Sequence, residues 1–153
     1  MRRLSMFSAV RRVKARTAAK AMLHQTLSTL TSPFGEKTVP GWIYEDPYVL
    51  GYLMFLAFFA IDLATLNKLL GDDRSKVAIQ ALAHVAGANW RVAVENAGNF
   101  YSERNEAFLE GLHRADRCVG VAYGVLGPEH DIRRSRSTFR MLRRLVYRPH
   151  SRL

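Results

Sequence analysis

The amino-acid sequence predicts an all-α protein, a small helical bundle of four to five helices around a central hydrophobic helix at residues 47–70. Apolar residues recur at the three- and four-residue spacing of a helix face, and prolines, glycines and capping residues separate these stretches. No stretch has the alternating apolar and polar pattern of a half-buried strand. A chain of 153 residues is also typical of a single domain.

The first two predicted helices are bounded by proline and glycine. A basic helix is expected within residues 4–30, since a Ser-Pro pair follows and leucines continue at helical spacing toward its end. The central helix begins at Asp46 and Pro47. Aspartate can accept hydrogen bonds from the free amides there, and a proline at the first helical position loses no hydrogen bond. We expect this helix to end at Leu70, before a glycine.

Three more helices are predicted in the rest of the chain. One begins near Asp73, whose carboxylate suits a helix N-terminus, and continues to Gly98. The next begins near Ser102 and ends at Gly127, before a proline. Its apolar stripe follows alternating steps of four and three residues: Phe108, Leu112, Ala115, Val119, Ala122 and Leu126. The last is a basic amphipathic helix at residues 132–148.

Charge divides the chain into three parts. Residues 1–35 hold seven basic side chains and no acid, and residues 133–153 hold eight arginines and no acid. The middle holds eight basic and thirteen acidic side chains, a net charge of −5, although the whole chain carries +10. We therefore predict a basic N-terminal helical segment, residues 1–35, and a helical domain, residues 36–153, that ends in the basic amphipathic helix.

The two basic ends are the predicted contact surfaces. A helix with arginines on one face and apolar residues on the other can lie on an anionic membrane, dock onto an acidic protein or line a phosphate backbone. The candidate contact residues are Arg133, Arg140, Arg144, Arg148, Arg11 and Arg12. The sequence thus predicts a small non-enzymatic helical accessory or interaction protein that engages an acidic protein surface or a membrane surface. Nucleic-acid binding is the alternative, although the chain has no recognisable DNA- or RNA-binding motif.

The uncharged residues 47–61 raise the question of a membrane span. As a helix they extend over about 22 Å, short of the roughly 30 Å hydrocarbon core. Continuing the helix to Asn67 supplies the length but places Asp62 in the bilayer, at a cost of about 2.5 to 3.5 kcal/mol near the centre. We favour a core helix, because the other helices need its aromatic and leucine side chains. A single-span membrane protein through residues 47–67 is the alternative.

Candidates for catalysis are few. The sequence has no phosphate-binding loop, no His-Glu-x-x-His motif and no nucleophile elbow, so no catalytic residue, metal ligand or cofactor is predicted. Asn89 and Asn96 fall within an apolar stripe and, together with Asp62, could form a buried polar cluster. We favour hydrogen bonds that fix helix register over a polar pocket. A shared pocket would favour an enzyme with an unrecognised site.

Localisation is expected to be cytoplasmic, with membrane association through the basic ends. The sequence has a single cysteine, Cys118, which excludes an internal disulfide and suits a reducing compartment. An arginine- and serine-rich N-terminus without acids is also typical of a mitochondrial transit peptide. If the source organism is a eukaryote and this segment is such a peptide, we expect the protein in mitochondria. The helical spacing of leucines toward its end favours a helix that is retained.

Overall fold

A computed structural model describes residues 2–31 and 39–122, with the side chains of residues 6–31 and 39–119. Within these residues the protein is an all-α bundle, which confirms the predicted fold class. The helices are α1 (Arg2–Thr31), α2 (Pro47–Thr65), α3 (Gly71–Ala86), α4 (Trp90–Ser102) and α5 (Glu106–Ala122). Short 3-10 helices, Gly41–Tyr44 and Gly87–Asn89, precede α2 and α4.

Helix α2 begins where the sequence predicts but ends earlier. The Asp46 carboxylate accepts a hydrogen bond from the Val49 amide at 3.1 Å, which caps the helix as expected. The predicted end at Leu70 is wrong, because the helix stops at Thr65. Leu66 and Asn67 adopt φ angles of 52° and 58°, and this left-handed pair closes the helix without a glycine.

Two further boundaries differ from the prediction. The helix expected from Asp73 to Gly98 is two helices, α3 and α4, because Gly87 adopts a φ of 57° that interrupts the backbone. The helix expected to start near Ser102 starts at Glu106. The Asn105 side chain accepts a hydrogen bond from the Phe108 amide at 3.1 Å, so asparagine rather than serine caps α5.

Helix α2 is the centre of the bundle and contacts α1, α3, α4 and α5. Its buried residues point in several directions, as expected for a helix that is apolar on all sides. Among the described residues, α2 is the one helix long and apolar enough to cross a membrane, and 61 % of that span is buried inside the protein. A core helix passes the same test of length and composition, and the contacts of α2 with four neighbouring helices support the core interpretation.

Helix α1 divides into an exposed half and a buried half. Its residues from Ala15 onward supply five side chains to the same hydrophobic core as α2: Ala15, Ala19, Leu23, Leu27 and Leu30. Helix α1 also packs beside α3, where Arg12 pairs with Asp73 and the His24 ring lies 6.4 Å from the His84 ring. These two contacts show that α1 and α3 run parallel. The predicted helix at residues 132–148 lies outside the described residues.

Helices α2 and α5 cross with their backbones in contact at two glycines. A Cβ atom added to Gly51 would lie 2.0 Å from the carbonyl oxygen of Phe108. A Cβ atom added to Gly111 would lie 2.1 Å from the carbonyl oxygen of Tyr48. Real Cβ atoms essentially never approach another atom within 3.0 Å, so glycine at both positions is what allows this crossing.

Candidate interaction surface

From Met6 to Lys14, helix α1 contributes no side chain to the hydrophobic core of the described residues. Every described side chain from Met6 to Lys14 is exposed, apart from the half-buried Ser8. The buried face begins at Ala15. Because Arg12 lies beside Asp73 in the first turn of α3, the residues before Arg12 extend beyond the start of α3 by roughly two helical turns. This segment is therefore available to a partner.

Apolar side chains form a stripe on this exposed segment. Met6, Val10 and Val13 lie within about 60° of one another on the helix and more than 100° from the buried Ala15 and Ala19. Phe7 is exposed beside the stripe, and all four side chains are more than half exposed. Exposed apolar residues that stand singly need no explanation, but a contiguous set on one helix face indicates a contact surface.

Basic side chains flank the apolar stripe. Arg11, Arg12, Lys14 and Arg16 are exposed, and the sequence has no acid before residue 36. The Arg12 guanidinium pairs with the Asp73 carboxylate at 3.0 Å, and both side chains are substantially exposed. In the part of the chain that the structure describes, Arg11 forms no ion pair. Of the two predicted contact residues here, Arg11 thus offers its charge directly, whereas Arg12 shares it with Asp73.

The predicted polar cluster does not form a shared pocket. Asp62 accepts two hydrogen bonds from the Arg74 guanidinium, at 2.7 and 2.5 Å. The Asn96 side-chain amide donates to the Tyr44 carbonyl oxygen at 3.0 Å. Tyr44 precedes α2 and Asp62 lies near its end, so these two contacts are at opposite ends of that helix. Each of these contacts joins two separate elements of the bundle.

Asn89 lies in the short 3-10 helix before α4, apart from the Asp62 pair. Its side-chain oxygen is close to Gly41, since a Cβ atom added to that glycine would lie 3.4 Å from it. The arginines predicted at the other end of the chain, Arg133, Arg140, Arg144 and Arg148, lie outside the described residues.

A cleft of about 470 Å³ lies between α2, α3, α4 and α5. Its walls are mainly apolar, with Phe58, Phe108 and Leu112 among them, and Arg74, Ser75 and Tyr101 are its polar lining residues. The Arg74 guanidinium stacks over the Phe58 ring at 4.4 Å and is already bound to Asp62. Among the described lining residues there is no carboxylate or imidazole. The apolar walls of this cleft can hold apolar groups.

Three tyrosines, of which Tyr44 and Tyr52 are buried and Tyr48 is half-buried, lie in α2 or just before it. Burial raises the pKa of Tyr44 to about 12, and it also raises the pKa values of Tyr48 and Tyr52. Tyr48 contacts Arg114, and Tyr52 contacts Cys118, across the interface with α5. These hydroxyl groups therefore stay protonated near neutral pH.

Comparisons with known proteins assign no function. No protein-family model matches the chain, and neither curated proteins nor solved structures match it. The function is therefore inferred from the charges, exposed side chains and clefts of this chain alone.

Proposed function

We propose that this is a small helical interaction protein, without enzymatic activity, that binds an anionic partner through its basic segments. The observation that carries the proposal is the first half of α1. Basic and apolar side chains are exposed together there, and the opposite face of the same helix continues into the core. A partner bound to this segment is thus held in a fixed position relative to the folded bundle.

Charge supports an anionic partner rather than a neutral one. Seven basic residues and no acid occupy residues 1–35, and a cluster of one sign attracts and orients an oppositely charged surface before contact. Exposed charges are screened over about 8 Å at physiological ionic strength, so this binding should weaken as salt is added. The apolar stripe would add an attraction that salt does not weaken.

The test compares charge reversal on α1 with the same change elsewhere. One variant carries Arg11→Glu and Lys14→Glu, and its control carries Arg91→Glu and Arg117→Glu, which are exposed on α4 and α5. Both variants change the net charge equally. Binding of the full chain is measured at low and high salt to three probes: polyglutamate, phosphatidylserine vesicles and duplex DNA.

Salt-sensitive binding to a probe that the α1 variant loses and the control keeps would support the proposal. Equal losses in both variants would refute a specific role of α1, because total charge alone would then decide binding. Failure to bind any of the three probes at low salt would refute the proposal as a whole. Binding to DNA alone, with a steep dependence on salt, would replace it by the nucleic-acid alternative.

The second basic end is tested in the same assay. Arg140→Glu with Arg144→Glu reverses two arginines of the predicted C-terminal contact surface. We expect a loss of binding comparable with that of the α1 variant. Unchanged binding would restrict the contact to the N-terminal segment.

A further inference from the structure

The turn between α2 and α3 presents leucines to solvent. Leu63 in the last turn of α2, and Leu66 and Leu70 in the connection, are all more than half exposed. Leu66 is held with a φ of 52°, a backbone conformation that side chains such as leucine rarely adopt. Leu66 is 75 % exposed, so its side chain contributes little to the core.

These leucines lie at the same end of the bundle as the exposed half of α1. The Arg12–Asp73 ion pair joins α1 to the third residue of α3, only three residues after Leu70. Ten large apolar residues are exposed among the described side chains, and seven of them occur in these two segments: Met6, Phe7, Val10, Val13, Leu63, Leu66 and Leu70. Large exposed apolar residues are therefore concentrated at this end of the bundle.

The same end carries an excess of positive charge. Its exposed basic side chains are Arg11, Arg12, Lys14, Lys68, Lys76 and Arg104, against the acids Asp72, Asp73, Glu103 and Glu106, of which Asp73 pairs with Arg12. Asp62 and Arg74, also near this end, neutralise each other. Helix α1 begins beyond these residues with two more arginines in its sequence, at positions 2 and 3.

We propose that this end of the bundle docks on an anionic lipid membrane, with the apolar side chains of α1 and the α2–α3 turn entering the interface. The basic side chains would then lie at the level of the lipid phosphates and carboxylates. This inference rests on the proposed function and names the partner of the same surface. It adds the α2–α3 turn, which is not among the contact residues predicted from the sequence.

The shape of the surface favours a bilayer over an acidic protein. The apolar side chains stand on a protruding helix end and on a turn, and a fluid interface accommodates such protrusions without a complementary groove. A mixture of basic and bulky apolar side chains on a helix is typical of segments that lie in the membrane interface. An acidic protein would satisfy the charges but would need a matching pocket for each exposed leucine.

The experiment uses flotation of the full-length protein with vesicles of phosphatidylcholine, alone or mixed with phosphatidylserine. Leu66→Ser with Leu70→Ser removes the turn leucines, and Trp90→Ser with Val92→Ser in the first turn of α4, at the opposite end of the bundle, is the matched control. Both pairs are exposed, and thermal unfolding confirms that each variant folds. A Leu66→Trp reporter shows insertion directly through a blue shift of its fluorescence and through quenching by brominated lipid.

We expect binding to the mixed vesicles only. The turn variant should bind at least about tenfold more weakly, because two leucines would no longer leave water, and the control should bind as the wild type does. The Leu66→Trp reporter should shift to the blue with mixed vesicles. A turn variant that binds like the wild type, or a reporter that does not shift, would overturn the inference.

The results also distinguish failure of the membrane proposal from failure of the proposed function, which is binding to an anionic partner. One outcome is that the full chain binds polyglutamate but no vesicles, and that the Arg11→Glu, Lys14→Glu variant loses the binding to polyglutamate. In that case the proposed binding to an anionic partner is supported and the membrane proposal is refuted. If the protein binds neither vesicles nor polyglutamate nor DNA at low salt, both proposals fail.

Discussion

Replacing Gly111 by alanine should destabilise the protein, because α2 and α5 cross at this glycine with their backbones in contact. The added Cβ atom would lie 2.1 Å from the Tyr48 oxygen and 3.0 Å from the Tyr52 nitrogen. Both are backbone atoms, so no side-chain rotation can relieve the clash. An ordinary contact of 3.4 Å would require the helices to separate by about 1.3 Å, the difference between 3.4 and 2.1 Å.

Two opposing terms set the size of the effect. Inserting a methyl group into a packed core costs about 1 to 3 kcal/mol, and the upper end applies because the whole α2–α5 interface must open. Alanine favours a helix interior over glycine by about 1 kcal/mol. The net destabilisation is therefore about 2 kcal/mol, which lowers the Tm of a chain of this length by about 4 to 8 °C.

Thermal unfolding followed by far-UV circular dichroism measures this change. The matched control is Gly98→Ala in the middle of α4, where a Cβ atom would meet nothing within 4 Å. That variant gains helix propensity without a clash, so its Tm should rise by about 2 to 4 °C. The Tm of Gly51→Ala should fall as that of Gly111→Ala does, because the added Cβ atom would also meet backbone atoms. If both Gly111→Ala and Gly98→Ala raised the Tm, the proposed close crossing of α2 and α5 would be refuted.

Three further predictions concern tyrosine ionisation, ion pairs and the core face of α1. Burial raises the pKa of Tyr44 from 10.0 to about 12, so its contribution to stability is complete below pH 10 and is lost as pH rises from about 10 to 12. Its buried hydroxyl has no hydrogen-bond partner among the described residues, so Tyr44→Phe should preserve or raise stability at neutral pH and flatten this alkaline decline. Urea unfolding across this pH range measures both effects, and an equally steep decline in the variant would contradict the assignment. Asp62→Asn should cost about 1 to 2 kcal/mol, since Asp62 holds Arg74 through two hydrogen bonds in a half-buried pair, whereas Asp73→Asn in the exposed Arg12 pair should cost less than about 1 kcal/mol. Equal urea midpoints for these two variants would count against the difference. Leu23→Ala should cost about 2 to 5 kcal/mol because Leu23 is fully buried, and the more exposed Val10→Ala should cost no more than about 0.5 kcal/mol. A small loss for Leu23→Ala would show that the second half of α1 is not part of the core.

The fold class was predictable because its signals are local. Helical spacing of apolar residues and the Asp46-Pro47 start need only a few neighbouring positions. The end of α2 was not predictable in this way, since Leu66 and Asn67 close the helix in left-handed conformations without a glycine. The break at Gly87 did have a signal in the sequence. However, the apolar spacing continues across Gly87, so the sequence predicts a single helix there.

The contacts that define the interaction surface around α1 and the crossing of α2 and α5 could not be predicted, because they join residues far apart in sequence. Arg12 and Asp73 are 61 residues apart, and the Asn96 amide reaches a carbonyl 52 residues before it. The spacing of Met6, Val10 and Val13 is visible in the sequence, but an exposed stripe and a core stripe have the same spacing. Only the packing of α1 shows that its buried face lies elsewhere.

Helix α1 also links the proposed contact to the fold. A segment that only tethered the protein would be removable, but α1 is one continuous helix from Arg2 to Thr31, and five of its side chains belong to the core. Removing residues 1–35 would take those side chains from α2 and α3 and expose apolar surface that they now cover. The exposed half therefore has a fixed orientation relative to the α2–α3 turn. In the membrane contact proposed above, that fixed orientation would bring both segments to the bilayer from the same end of the bundle.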